Sequence, residues 1–274
     1  MIPFPFAYYQ PKTLSEAADA YQECLIRQEK PQYYSGGTEI ITMGRTGSLR
    51  FDAVIDLKGI PEMHGLKRDG NHLSIGAAET LNDIARWNAF PLLTQCCARV
   101  ADHTAQCKIT LGGNIAGTII YHEAVLPLLL ANASVELFGP DGARSEKLSA
   151  LFSPGLHLMP GEILVRFSMD ANKAGFPFAH AKHVDSEKIG YPLFTLAAVR
   201  EKDMVRAAVS GLYPFPIVFA FLPGAESLKE IRDQLHSQLR GKPISDVLGS
   251  GEYRLFRLNA ALYDMLAALE EDIP

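Results

Sequence analysis

The sequence predicts an α+β protein. Apparent hairpins, around Asp69-Gly70, Pro140-Asp141-Gly142 and Glu201-Lys202-Asp203, outnumber convincing β–α–β crossovers. Apolar residues at helical spacing over residues 227–239 and 253–271 place the helices of the last third together. The chain has 274 residues, of which 47% are hydrophobic, 21% charged and 9% aromatic, enough apolar material for one or two real cores.

Element by element, Thr13-x-x-Glu16 reads as a capping box opening a helix to about residue 27. A short strand over 32–35 runs into Gly36-Gly37, a helix over 38–46 follows, and 53–57 reads as a second strand, a small α/β unit. Residues 66–76 form a hairpin, Thr80-x-x-Asp83 opens a helix, and 91–102 is helical in periodicity. After a second glycine loop at 110–114 come a buried helix over 123–132, a hairpin of 134–138 with 144–147, and a strand at 162–167. The polar, small stretch 170–175 is the expected domain boundary, and 193–200 pairs with 204–212 beyond it.

The formal net charge of −5 supplies no basic field, which argues against nucleic acid as the main partner. The longest apolar stretches are broken by Pro127 and Asn132, and by Ser210, Pro214 and Pro216, so neither suits a membrane span. The N-terminus lacks the basic start of a secretory signal, and Cys24, Cys96, Cys97 and Cys107 form neither a disulfide framework nor a C-x-x-C cluster site. The expected compartment is the cytoplasm.

Two glycine pairs carry the chemical signal. The first loop is Tyr33, Tyr34, Ser35, Gly36, Gly37, Thr38, Glu39 and Ile40; the second is Thr110, Leu111, Gly112, Gly113 and Asn114. Glycine lets the backbone approach a ligand, and successive N–H groups make an anion nest that a following helix reinforces. Thr38, Thr110 and Asn114 would add side-chain donors. Neither G-x-G-x-x-G nor G-x-x-x-x-G-K-[ST] occurs, and a Gly-Gly after a strand is by default a turn, so spacing alone does not identify the ligand. His180 and His183 would fall on a strand that separates them, so no metal site is expected. Cys96 and Cys97 read as buried packing residues, as does Cys107 despite its nearness to the second loop. Trp87 reads as core, and Lys182 as either a solvated lysine or a cation that stabilises negative charge on a ring system.

In order along the chain stand P-F-A-Y-Y-Q-P-K-T-L-S-E-A, S-G-G-T-E-I, V-I-D-L-K-G-I-P-E-M, L-S-I-G-A-A-E-T, T-L-G-G-N-I-A, P-G-E-I-L-V and S-G-E-Y-R. This ordered set resembles the FAD-binding medium subunit of molybdenum hydroxylases, the xanthine dehydrogenase and carbon monoxide dehydrogenase group. The resemblance implies an FAD-binding domain over 1–170, with subdomains 1–57 and 58–170. A C-terminal domain of antiparallel strands and helices would follow over 176–274. It implies non-covalent FAD, with both glycine loops on the pyrophosphate. Glu123 stands where family members place an aspartate on the adenosine ribose, and Leu164 where a residue packs near the adenine or the flavin edge. Lys182 aligns with a lysine close to the isoalloxazine ring, the one catalytic assignment. Residues 120–123 and 186–191 depart from the common family pattern.

The implied activity is electron transfer from iron–sulfur clusters of a small partner subunit, through FAD, to NAD or another acceptor. Substrate oxidation would take place at molybdopterin on a large partner subunit, with a purine as the expected substrate of the complex. A non-catalytic assembly relative and a stand-alone flavin oxidase are the alternatives.

Overall fold

The structure is a computed structural model that describes residues 2–152, 155–184, 190–221, 227–239 and 241–271. The departure noted at 186–191 therefore lies mostly outside the described residues. Three sheets follow one another along the chain. The first is parallel, in the order β1 (Ala7–Tyr9), β3 (Ala53–Asp56), β2 (Pro31–Tyr34), with β1 and β2 both paired to the central β3. Helices α1 (Leu14–Ile26) and α2 (Thr38–Thr46) connect these strands. Thr13 Oγ1 accepts the Glu16 N–H at 3.1 Å, but the Glu16 carboxylate accepts from Lys12 N at 2.6 Å, one residue beyond a reciprocal capping box. Strand β1 has no periodic signal in the sequence because it is three residues long and largely exposed; its pairing with β3 defines it.

The second sheet is antiparallel, in the order β4 (Leu66–Asp69), β5 (His72–Gly76), β8 (Ile163–Asp170), β6 (Ser134–Gly139), β7 (Gly142–Lys147). Its helices are α3 (Leu81–Trp87), α4 (Pro91–Ala98), α5 (His103–Gln106), α6 (Leu111–Ala116), α7 (Val125–Leu130) and α8 (Leu148–Leu151). The helix expected over 91–102 stops at Ala98, and the next one, α5, begins only beyond residue 102. The chain reverses at Ala101, which takes a left-handed φ of 51°, and restarts where Asp102 caps Ala105 N at 2.7 Å. Gln106 holds the reversal by donating to the carbonyls of Ala98 at 3.0 Å and Val100 at 3.1 Å. Helix α7 is shorter than the expected 123–132, and all its residues are buried.

The third sheet is antiparallel, in the order β12 (Ile217–Phe221), β11 (Met204–Ser210), β10 (Phe194–Glu201), β9 (Phe178–His183). Helices α9 (Leu228–Gln238) and α10 (Gly251–Glu271) pack against it. Strand β12 was hidden from periodicity by Pro214 and Pro216, which delimit an edge strand without interrupting it. The expected boundary at 170–175 is a 3₁₀ segment, Ala171–Gly175, capped by Asp170, with Ala171 and Ala174 buried.

One core joins the first two sheets and continues past that segment to Ala197, Val199 and Ala208. A second lies between the third sheet and α9/α10, around Phe194, Leu196, Phe221, Leu235 and Leu262. Alternate residues of β10 thus enter different cores, which is why six consecutive residues from Phe194 to Val199 are buried. Trp87 packs partly buried against the first core, and Cys96 and Cys97 lie within it. Cys107, at the C-cap of α5, is exposed instead of packed.

Phe167 is fully buried in β8, at the centre of the second sheet. Phe167→Ala is expected to lower unfolding free energy by about 3–5 kcal/mol, measured by urea titration with an unchanged m-value.

Candidate functional site

The site begins where the parallel sheet ends. Strand β2 delivers the first glycine loop, and the second loop lies against it. A Cβ added at Gly36 would sit 2.1 Å from the Lys108 carbonyl oxygen and 3.1 Å from Thr110 N, so the loops touch backbone to backbone. Gly37 has φ 71°, and a Cβ there would sit 2.1 Å from the Tyr34 ring. These glycines are required by loop contact and by a left-handed turn over an aromatic ring.

A cavity of about 730 Å³ opens between the loops. From the first loop it is lined by Tyr33, Tyr34, Ser35, Gly36, Gly37, Thr38, Glu39 and Ile40. Thr110, Gly112, Gly113 and Asn114 line it from the second, and Glu123, Leu164 and Lys182 from beyond. Leu111 does not: its side chain is fully buried in the first core, on the opposite side of the short α6.

The two loops differ in what their backbones offer. Helix α2 starts on Gly37 with no side-chain cap, so the first-turn N–H groups of Thr38, Glu39 and Ile40 have no intrahelical acceptor and carry the positive end of the helix dipole. The second loop is not the anion nest expected from its glycines. Leu111 N donates to Glu79 O at 2.9 Å, Gly112 N to Ala77 O at 2.8 Å, Gly113 N to Thr110 Oγ1 at 3.2 Å and Asn114 N to Thr110 O at 2.8 Å. The Thr80–Thr110 bridge stitches this loop to the segment between β5 and α3, and that stitching consumes its donors. Asn114 Oδ1 accepts Ala124 N at 3.1 Å, which leaves its NH₂ group as a donor.

Several assigned side chains do structural work. Glu39 Oε1 accepts from Thr118 N at 2.7 Å and Thr118 Oγ1 at 2.6 Å, which ties α2 to the chain beyond α6. Tyr33 donates its hydroxyl to Gly161 O at 3.0 Å and stacks on Tyr21, and burial pushes its phenol well above the usual range. Glu123, expected on a ribose, is buried with both carboxylate oxygens engaged: Oε1 with Lys182 Nζ at 2.9 Å and Oε2 with Thr195 Oγ1 at 2.8 Å. Burial pushes the Glu123 carboxyl up, against the pull of Lys182 and Thr195. Lys182 also donates to Arg99 O at 2.7 Å, so its ammonium has two acceptors within the protein. Lys182 and Thr195 are direct cross-strand partners on β9 and β10, so Glu123 fastens the third sheet to the chain beyond the second loop.

Tyr121, His122, Ile119, Tyr191 and Pro192 also line the cavity and were missed. Tyr121 and Tyr191 stack with centroids 5.2 Å apart and planes at 19°. His122 has φ 30° and bonds through Nδ1 to Asn114 O at 3.1 Å; burial lowers its pKa. The departure at 120–123 was the available signal, but only tertiary contacts show that it forms a wall.

This donor set fits a diphosphate-linked cofactor. The uncapped start of α2 accepts an anion, and buried Ser35 Oγ has no partner. The stacked tyrosines offer an aromatic face. The lining carboxylates Glu39, Glu123 and Glu162 are already engaged, Glu162 by Arg144 at 2.6 Å, which limits their repulsion of phosphate.

Residues 4–169 match the family model described as the FAD binding domain in molybdopterin dehydrogenase. The chain belongs to that family. It is therefore part of an oxidoreductase, and FAD is its cofactor. It is 26% identical to the carbon monoxide dehydrogenase medium chain of Afipia carboxidovorans over 205 residues, 73% of this chain and 69% of that one. It is 25% identical to the xanthine dehydrogenase FAD-binding subunit of Escherichia coli O157:H7 over 197 residues, 69% and 64% of the two chains. Its fold matches carbon monoxide dehydrogenase from Hydrogenophaga pseudoflava with a TM-score of 0.84 over 99% of each chain, at 23% identity.

His180 and His183, three apart on β9, point to opposite sides, and among the described residues no group of side chains suits a metal ion. Both His180 ring nitrogens are buried without partners; burial, then the charges of Arg99 and Lys182, lower its pKa to about 4. The folded state holds this ring neutral, so its stability contribution is complete above the unfolded pKa near 6.5 and is lost as pH falls toward 4. His180→Phe is expected to flatten the acid limb of the stability–pH curve between pH ~6.5 and ~4 by about 3 kcal/mol, measured by denaturant titration at each pH. Lys182→Met leaves the buried Glu123 carboxyl without its cation, at a cost of about 3–5 kcal/mol, and adding Glu123→Gln should restore most of it, read from the same titrations.

Proposed function

We propose that this chain is the flavin subunit of a hetero-oligomeric molybdenum hydroxylase. It would take electrons from iron–sulfur clusters on a small partner subunit and deliver them to NAD or another acceptor. Molybdopterin and substrate oxidation would reside on a large partner subunit. The single observation that carries this reading is the cavity walled by both glycine loops, with the uncapped α2 N-terminus on it, inside a segment that belongs to the FAD-binding family. When bound, FAD supplies the exchange between one-electron and two-electron carriers.

The chain's own residues bind and orient. The first-turn N–H groups of α2 and the Thr38 and Ser35 hydroxyls would hold the diphosphate. The Asn114 NH₂ and the backbone at Gly113 would meet the ribitol side; a Cβ at Gly113 would contact only Thr110 Oγ1, at 2.9 Å, so that backbone is otherwise open. Leu164 supplies an apolar floor and the Tyr121–Tyr191 pair a flat wall for a ring. Glu39 keeps the walls at fixed separation through Thr118.

Lys182 gives no ground for a purine over carbon monoxide as the substrate of the complex, since its ammonium is held by Glu123 and Arg99 O. Related chains carry names from several such dehydrogenases, and nothing in this cavity chooses among them.

Purified chain should carry FAD, released on denaturation with the flavin absorbance spectrum, and should copurify with iron–sulfur and molybdenum subunits. NADH-driven dye reduction distinguishes an electron-transfer subunit from an assembly relative. A colourless chain that cannot be reconstituted with FAD would overturn the proposal. Robust turnover of the isolated flavoprotein with oxygen, without partners, would favour a stand-alone oxidase.

A further inference from the structure

The S-G-E-Y-R run opens α10 and takes no part in the cavity, yet its arginine is fully buried. The Arg254 backbone N–H donates to Ser250 O at 2.9 Å, and Ser250 Oγ caps Tyr253 N at 3.1 Å, which sets the first turn. The guanidinium then works as a clamp. Nη1 donates to the carbonyls of Leu193 and Gly211, the latter at 2.8 Å, and Nη2 to Asp246 Oδ1 at 2.6 Å. Asp246 is itself held by Leu248 N at 2.8 Å. A buried cation is a costly way to fill core space, because an apolar residue of similar volume packs without the desolvation penalty. What the charge adds is directional: one planar group fixes two main-chain carbonyls.

Those carbonyls lie at the cavity's edge. Leu193 directly follows Gly190, Tyr191 and Pro192, which line the cavity. Gly211 follows β11 with φ 85°, and a Cβ there would sit 2.9 Å from Leu193 O and 3.3 Å from Tyr121 Cδ1. The strand ends therefore meet with no side chain between them, and the Tyr121 ring rests on the junction. Tyr121 in turn stacks on Tyr191. The charges of Asp246 and Arg254 also reach the Tyr121 phenol, the first raising and the second lowering its pKa, which burial raises overall.

We propose that Arg254 is a positioning residue of the cofactor cavity: by holding Leu193 and Gly211 together it sets the stacked Tyr121–Tyr191 wall against which a planar ring of the cofactor lies. This rests on the FAD reading above. It places the determinant of one cavity wall in the first turn of the C-terminal helix, about 60 residues along the chain from the nearer tyrosine, Tyr191.

The test titrates FAD into the full apo chain, in wild-type form and as Arg254→Met and Arg254→Lys, following flavin fluorescence and the visible spectrum. Arg254→Met should weaken FAD binding by about tenfold or more and shift the bound-flavin spectrum, with Arg254→Lys recovering part of both. In a Tyr121→Leu/Tyr191→Ala background, Arg254→Met should have little further effect, because the wall it sets is already gone. Unchanged affinity and spectrum in Arg254→Met would overturn the inference, as would an equal loss with and without the tyrosine pair. If Arg254→Met does not fold, Gly211→Ala pushes the same junction apart and should reproduce the weakened binding and shifted spectrum; wild-type behaviour there overturns the inference as well. A wild-type chain that takes up no FAD removes the cavity reading itself, whereas normal wild-type binding with an indifferent Arg254→Met removes only this clamp.

Discussion

The contact between Gly36 and the Lys108 carbonyl organises the molecule. A backbone approach that excludes even a methyl group brings the end of a parallel strand against a loop stitched to an antiparallel sheet. Once these backbones touch, the helix that follows Gly37 must point its uncapped end along the shared surface. The cavity is the space left above that contact. Glu39, bonded to Thr118, prevents the walls from spreading.

Division of labour between the loops follows from where their donors go. The first loop leaves a sheet and enters a helix, so its first-turn N–H groups stay unmatched within the helix. The second is fastened to Ala77 and Glu79 before it can offer anything to a ligand. In the proposed reading an acidic chain can still hold a diphosphate here, because helix geometry supplies the positive end and the lining carboxylates already have partners. In such a cavity a backbone-held anion needs no cluster of lysines.

The third sheet is fastened twice. Apolar residues of β10 and β11 enter the first core, and the buried Glu123 joins Lys182 and Thr195 across two strands. A buried pair of this kind adds little net stability but penalises any arrangement that separates its members. It therefore acts on where the C-terminal sheet sits, and with it on the wall that Tyr191 contributes.

Local patterns in the chain were enough for much of this. Helix α2, the two glycine-turned hairpins of the second sheet and the amphipathic α10 follow from periodicity, turn residues and capping, interactions a few residues long. The ordered motifs were enough for the family and the cofactor. The chain alone was silent on edge strands β1 and β12; its periodicity ran a helix across the reversal at Ala101, and its loop pattern put Leu111 with the cofactor where packing turns it into the core. It could not show that Glu123 and Lys182 satisfy each other, or that Tyr121 meets Tyr191. Those pairs are 59 and 70 residues apart, and which charge meets which, or which ring meets which, is decided by packing that no local pattern encodes.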